Sequence, residues 1–165
     1  MSEIRLGILG GGQLGSMMSV AAKKLNIKTI IFSDDQDSPA RNFCDEFVFG
    51  NYKDKNKIDE FTNKVNIITY EFENIPYETL NEINKSKTVN PKPSINRLIQ
   101  HRLAEKDFVN KLNIRTTRYV SIEKKSDLDS LNDFLPGILK TTTMGYDGKG
   151  QYPLKSLNEL NRLNI

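Results

Sequence analysis

Three short stretches of the chain carry residue types whose spacing could do chemistry. Gly10-Gly11-Gly12-Gln13-Leu14-Gly15 fits G-x-G-x-x-G. Glycines at those positions permit a tight strand-to-helix turn and close approach of another group to the backbone. The free N–H groups and positive dipole end of a following helix favour an anion there. Asp34 lies 19 residues past Gly15, where dinucleotide domains place a ribose-binding acid. A tight turn with no ligand would use the same glycines, so both readings stand. Next, Tyr70-Glu71-Phe72-Glu73-Asn74 follows an apolar run. A carboxylate at the carboxyl edge of a sheet could accept hydrogen bonds from a ribose or an amine, or could be a solvated loop acid. Strand alternation, if continued, would put Glu71 and Glu73 on one side and Phe72 on the other. Finally, Lys140 precedes Gly145-Tyr146-Asp147-Gly148-Lys149-Gly150-Gln151. Such a loop could close over a polyphosphate, with backbone N–H groups pointing inward and lysine charge added. An ordinary Asp-Gly hairpin turn could be built from the same residues. A Walker A loop is excluded, because its G-x-x-x-x-G-K-[ST] pattern is absent.

These residues need a scaffold, and the hydrophobic pattern supplies one. Short apolar runs at residues 4–9, 28–32, 46–49, 66–70 and 88–90 read as strands. Helical periodicity falls between them. Leu14, Met17, Met18, Ala21, Ala22 and Leu25 form one stripe that should lie on a sheet, with Asn26 as a C-terminal cap. Ile58 and Phe61, then Leu80 and Ile83, point inward from two further helices at 54–63 and 77–85. Alternating strands and helices imply an α/β fold: a Rossmann-like parallel sheet with helices on both faces, over residues 1–92. Pro91-Lys92-Pro93 marks the boundary. Residues 93–165 form a second, incomplete domain. It has a long helix at 94–112, a strand at 117–121, a helix at 126–134, and strands at 137–141 and 151–154 joined as a hairpin. Leu157, Leu160 and Leu163 begin another amphipathic helix. This domain has too little chain for a core of its own, so the sequence reads as the amino-terminal part of something longer.

Composition narrows the classes. Lys and Arg number 24 against 21 Asp and Glu, a formal charge of +3 with no dense basic block, so no nucleic-acid footprint is visible. Cys44 is the single cysteine, which excludes an internal disulfide framework and a multi-cysteine metal site and fits a reducing compartment. It reads as a half-buried residue. His101 is the single histidine; it has no acid or cysteine partner at useful spacing and reads as an exposed helix position. No apolar run approaches the ~20 residues of a membrane span, and no signal-like amino terminus is present. A cytoplasmic protein is the default expectation.

Taken in order, Gly7 through Gly15, Asp37-Ser38-Pro39-Ala40, Thr69-Tyr70-Glu71-Phe72-Glu73-Asn74-Ile75-Pro76, Arg102 with Glu105-Lys106, and Leu139-Lys140-Thr141-Thr142 with Gly145 through Gln151 resemble the N5-carboxyaminoimidazole ribonucleotide synthetase family of ATP-grasp ligases. The resemblance runs over nearly the whole chain. It implies a pre-ATP-grasp domain at 1–92 and the first part of an ATP-grasp domain at 93–165. It also implies carboxylation of 5-aminoimidazole ribonucleotide by bicarbonate through carboxyphosphate, with ATP and magnesium. Arg102, Lys140, Gly145, Tyr146, Asp147, Gly148, Lys149, Gly150 and Gln151 are implied to contact ATP. Gln13, Leu14 and Glu71 are implied to face the ribonucleotide, with Tyr146 and Asp147 reaching it. The family's magnesium carboxylates are expected beyond this chain, so none of its residues is assigned to the metal. The chain alone is expected to be inactive, and the full-length protein to be a homodimer. Met144 departs from the glycine that some family members carry. Two competing readings are another ATP-grasp ligase, such as formate-dependent glycinamide ribonucleotide transformylase, and a NAD-binding module. The second explains Gly10–Gly15 and Asp34 but leaves Lys140 and the second glycine loop without a role.

Overall fold

In the computed structural model, residues 4–145 and 148–160 are described. The chain divides into two compact units, Met1–Arg97 and Leu98–Ile165. In the first, β1 (Arg5–Leu9), α1 (Gln13–Lys24), β2 (Lys28–Ser33), a 3-10 turn (Pro39–Asn42), β3 (Glu46–Phe49), α2 (Lys55–Asn63), β4 (Ile67–Tyr70), α3 (Tyr77–Ile83) and β5 (Thr88–Val89) follow in order. The sheet order is β3-β2-β1-β4-β5, and every neighbouring pair is parallel. This is the expected Rossmann-like arrangement. The chain leaves β1 toward one side of the sheet and later returns to add β4 on the other.

Strand pleating divides the core in two. Leu9, Ile30, Phe32 and Val48 pack with Ile58 and Phe61 of α2 and Leu80 and Ile83 of α3. Phe32 lies at 5.5 Å from Tyr52 and 5.7 Å from Phe61, ring centre to ring centre. Ile8, Ile31 and Ala40 form the smaller cluster on the opposite face. The Asp54 carboxylate accepts from the N–H groups of Asn56 and Lys57 and so starts α2. Asn26, at φ 57°, ends α1 in the left-handed conformation that asparagine tolerates.

Helix α1 departs from the expected stripe. Leu14, Met17 and Leu25 are 56%, 60% and 70% exposed, and Ala21 is exposed as well. The buried residues are Gly15, Ser16, Ser19 and Ala22, with Met18 partly buried against the smaller cluster. The reason is close approach. A Cβ at Gly15 would sit 3.0 Å from the Gly10 carbonyl oxygen and 3.3 Å from Ala40 Cβ. A helix held that near its neighbours turns its small side chains inward and its large ones out.

The residues after β5 also correct the sequence reading. Residues 94–112 are two helices, α4 (Pro93–Ile99) and α5 (Arg102–Lys111). His101 is extended at φ −117°, ψ 104°, and its Nδ1 accepts from the Ala104 N–H at 3.4 Å. It is exposed as expected, but it caps a helix start instead of lying within a helix. Residues 117–121 form no strand. This stretch and the residues before it are bonded to α5: Thr116 N–H donates to Asn110 Oδ1, and the Tyr119 hydroxyl donates to Asp107. The expected helix at 126–134 is a 3-10 segment, Lys125–Phe134. The hairpin is present: β6 (Gly137–Lys140) and β7 (Gln151–Leu154) pair antiparallel, with Lys140 opposite Gln151. Helix α6 (Leu157–Leu160) follows, and Leu163 lies outside the described residues. Among the described residues, Leu131 and Leu154 are the buried centre of this unit's apolar cluster. No described helix is long and apolar enough to cross a membrane.

Candidate functional site

The first group of candidate residues gathers where β1 and β4 end side by side. That is the point at which the sheet order reverses, the usual ligand crevice of an open α/β sheet. Gly10, at φ +108°, turns the chain out of β1. The Gly12 N–H then donates to Glu71 Oε1 at 2.6 Å. Helix α1 has no side-chain cap from Gly12 and no acid in its first turn, so Glu71 supplies the negative charge its amino end lacks. The Glu71 N–H donates to the Leu9 carbonyl at 3.0 Å, which fixes the carboxylate's base. Gln13 and Leu14 are exposed beside this contact.

The glycines of this turn are filled by protein atoms. A Cβ at Gly10 would lie 2.7 Å from Glu71 Oε1, and one at Gly12 would lie 3.0 Å from the same oxygen. At Gly11 it would lie 2.4 Å from Ser38 Oγ. Ser38 is buried and shares a 2.7 Å hydrogen bond with Ser33, and the Ala40 N–H donates to the Gly11 carbonyl at 3.0 Å. Ser38 and Ala40 stand in the sequence as motif residues, and their packing on the turn is seen only in the structure. The signal available was their place directly after β2, whose end adjoins that of β1. Asp34 is exposed and adds to the negative surroundings of Tyr52, whose phenol is raised chiefly by burial, then by the charges of Asp34 and Glu71. Glu71 and Glu73 do not behave as an alternating pair, because β4 stops at Tyr70. Glu73 is exposed, while Phe72 packs 6.3 Å from Tyr52. Tyr70 Oη and Asn74 Nδ2, on either side of Glu71, are buried with no hydrogen-bond partner.

The second group lies in the second unit. The Arg102 N–H, the first of α5, donates to the Thr142 carbonyl at 2.8 Å. Its guanidinium donates to the Thr141 carbonyl at 3.3 Å through Nε and to the Gly145 carbonyl at 3.2 Å through Nη2. The Thr141 N–H donates to the Gly150 carbonyl at 2.9 Å. These bonds bring Arg102, Lys140, Gly145, Gly150 and Gln151 together at the loop end of the hairpin. Gly148 and Gly150 take φ +80° and +65°, a conformation open to glycine. Met144 takes φ 58° and is exposed, so the departure noted in the sequence falls where glycine fits best. Lys140 and Lys149 are exposed. Tyr146 and Asp147 lie outside the described residues. Arg102 and Lys140 line a cleft of about 640 Å³ with Lys106, Tyr119, Phe134 and Leu139, a volume suited to a small molecule. The Arg118 guanidinium lies 4.8 Å from the Phe134 ring centre. Among the described residues, no three His, Cys, Asp or Glu side chains are placed to hold a metal ion.

A parallel sheet with a glycine turn at its switch point, followed by a glycine-looped hairpin, defines a pre-ATP-grasp domain leading into an ATP-grasp domain. Residues 2–100 match the ribonucleotide synthetase preATP-grasp domain and residues 107–164 the ATP-grasp domain. The chain belongs to the ribonucleotide synthetase preATP-grasp family. It is 43% identical over 151 residues to a bifunctional purine synthesis protein of Dictyostelium discoideum, covering 90% of this chain and 15% of that protein. It is 33% identical over 157 residues to an N5-carboxyaminoimidazole ribonucleotide synthase of Staphylococcus aureus, covering 94% of this chain and 42% of that one. A crystal structure of the Staphylococcus aureus synthetase complexed with ADP superposes with a TM-score of 0.89 at 32% identity, over 98% of this chain and 44% of that one. The chain thus spans about two fifths of the length of these bacterial relatives.

Proposed function

We propose that this segment belongs to an ATP-grasp ligase that carboxylates 5-aminoimidazole ribonucleotide with bicarbonate in purine biosynthesis. The observation that carries the reading is the hold of Arg102 on the loop between Thr141 and Gly145, beside Lys140 at the edge of a cleft. A guanidinium has five donors and spends two of them here on carbonyls, leaving others for phosphate oxygens. Arg102, Lys140 and the loop Gly145–Gln151, Tyr146 and Asp147 included, are assigned to ATP. Gln13, Leu14 and Glu71, with Tyr146 and Asp147, are assigned to the ribonucleotide. Domain limits of 1–92 and 93–165 go with this assignment.

The chemistry asks the protein mainly for positioning and charge neutralisation. A bicarbonate oxygen attacks the γ-phosphorus and ADP leaves. The substrate amine then attacks the carbonyl carbon of the resulting carboxyphosphate, phosphate leaves, and the nitrogen loses a proton. Exclusion of water protects that intermediate. Magnesium accompanies ATP in this reading, but the described residues do not by themselves fit a metal ion, and none is assigned to it. A cytoplasmic homodimer is the corresponding setting of the whole protein. The packing of Glu71 and Ser38 against Gly10–Gly12 disfavours a NAD-binding module, because the space a pyrophosphate would use is taken.

The test is ADP formation by a chimera in which these 165 residues replace the matching segment of the Staphylococcus aureus synthase. ADP release that depends on both bicarbonate and 5-aminoimidazole ribonucleotide is expected, with none from the 165-residue chain alone. A chimera that binds ADP yet prefers glycinamide ribonucleotide and formate would overturn the substrate assignment.

A further inference from the structure

In a glycine turn that holds a phosphate, the anion sits on the free N–H groups at the helix start. Here the Gly12 N–H is occupied from within, by Glu71 Oε1 at 2.6 Å. Two features show that the carboxylate is built in and has not drifted there. Its own backbone N–H is bonded to Leu9 at 3.0 Å, next to the turn. The absence of side chains at Gly10 and Gly12 is what lets it approach, since Cβ atoms there would fall 2.7 and 3.0 Å from Oε1. On the opposite side of the turn Ser38 packs against Gly11, where a Cβ would fall 2.4 Å from its Oγ.

We propose that Glu71 is a selectivity residue that excludes phosphate and other anions from the Gly10–Gly12 turn by occupying the anion position with its own carboxylate. A second anion brought to Gly12 would have to displace a charge-assisted hydrogen bond and approach a like charge at contact distance, both unfavourable. The glycine turn is therefore selective against the very ligands its sequence pattern suggests. This inference does not rest on the ligase reading, because it concerns equilibrium binding of an ion and involves no turnover.

The test is titration of inorganic phosphate into the 15N-labelled chain at fixed ionic strength, following the Gly10, Gly11 and Gly12 amide resonances. The wild type is expected to show no saturable shift. Glu71→Ala empties the position and is expected to bind phosphate there at least about ten-fold more tightly, as removal of a like charge at hydrogen-bond distance predicts. Glu71→Gln keeps the shape without the charge and serves if the alanine variant does not fold; it is expected to gain in the same direction. Glu73→Gln, two residues away and exposed, is expected to behave as wild type. Saturable shifts of equal midpoint in wild type and Glu71 variants would overturn the proposal. So would folded Glu71 variants that remain as unresponsive as the wild type.

Discussion

Tyr52 illustrates how much one buried group can depend on its surroundings. It is 5% exposed, and burial, the charge of Asp34 and the charge of Glu71 all raise its phenol. The folded chain therefore keeps a proton that the unfolded chain releases near the ordinary tyrosine value of ~10. The associated stability is intact below that value and is lost as pH climbs toward the folded one. Replacing Tyr52 with Phe should flatten the fall in denaturation midpoint between neutral pH and strongly alkaline pH. Equal alkaline slopes for the two proteins would contradict this. At the same scale, Glu71 was recognisable in the sequence as an acid at a strand end. Its partner was not, because Gly12 lies 59 residues away and no local pattern connects the two. Asp34 shows the opposite case: its spacing from Gly15 matched a dinucleotide domain, yet the turn it would serve is filled by protein.

Among the elements, the five strands of the first unit and the α2 and α3 helices followed their periodicity, because large side chains there meet a broad sheet face. Helix α1 did not, because its distance from Gly10 and Ala40 is set by Gly15. A hydrophobic stripe predicts an inward face only when the gap to be filled is wide. The contrast is measurable. Leu80 is fully buried and Leu25 is 70% exposed. Leu80→Ala should cost about 2–5 kcal/mol, while Leu25→Ser should stay within about 0.5 kcal/mol. Comparable losses in chemical denaturation would place Leu25 in the core after all. In the second unit, the break at His101 and the irregular stretch 117–121 were hidden from the sequence for a different reason. Both depend on hydrogen bonds made by His101, Asn110 and Asp107 side chains, which hydrophobic periodicity does not register.

At the scale of the molecule, the two units differ in how much apolar surface they bury. The first holds a cluster running from Leu9 to Val89 and a second around Ile8 and Ile31. The second holds Leu131 and Leu154 as its buried centre among the described residues. Amide exchange should follow this difference. The amides of Ile8, Ile31 and Ile68 are expected among the slowest, and those of β6 and β7 to exchange substantially faster. Uniform protection across both units would show that they open as one. The change in strand and helix spacing suggests a boundary at Pro91-Lys92-Pro93, whereas the compact units divide between Arg97 and Leu98.

The capping of α1 by a residue from the neighbouring but later strand β4 also bears on synthesis. A chain emerging from the ribosome presents Gln13–Lys24 long before residue 71 exists. In that interval the helix has no acid at its amino end, and it faces β1 and β2 with small residues and Met18 alone. It is completed when β4 aligns beside β1 and delivers Glu71. The strand that completes the crevice beside β1 is thus also the one that brings the acid to its first helix.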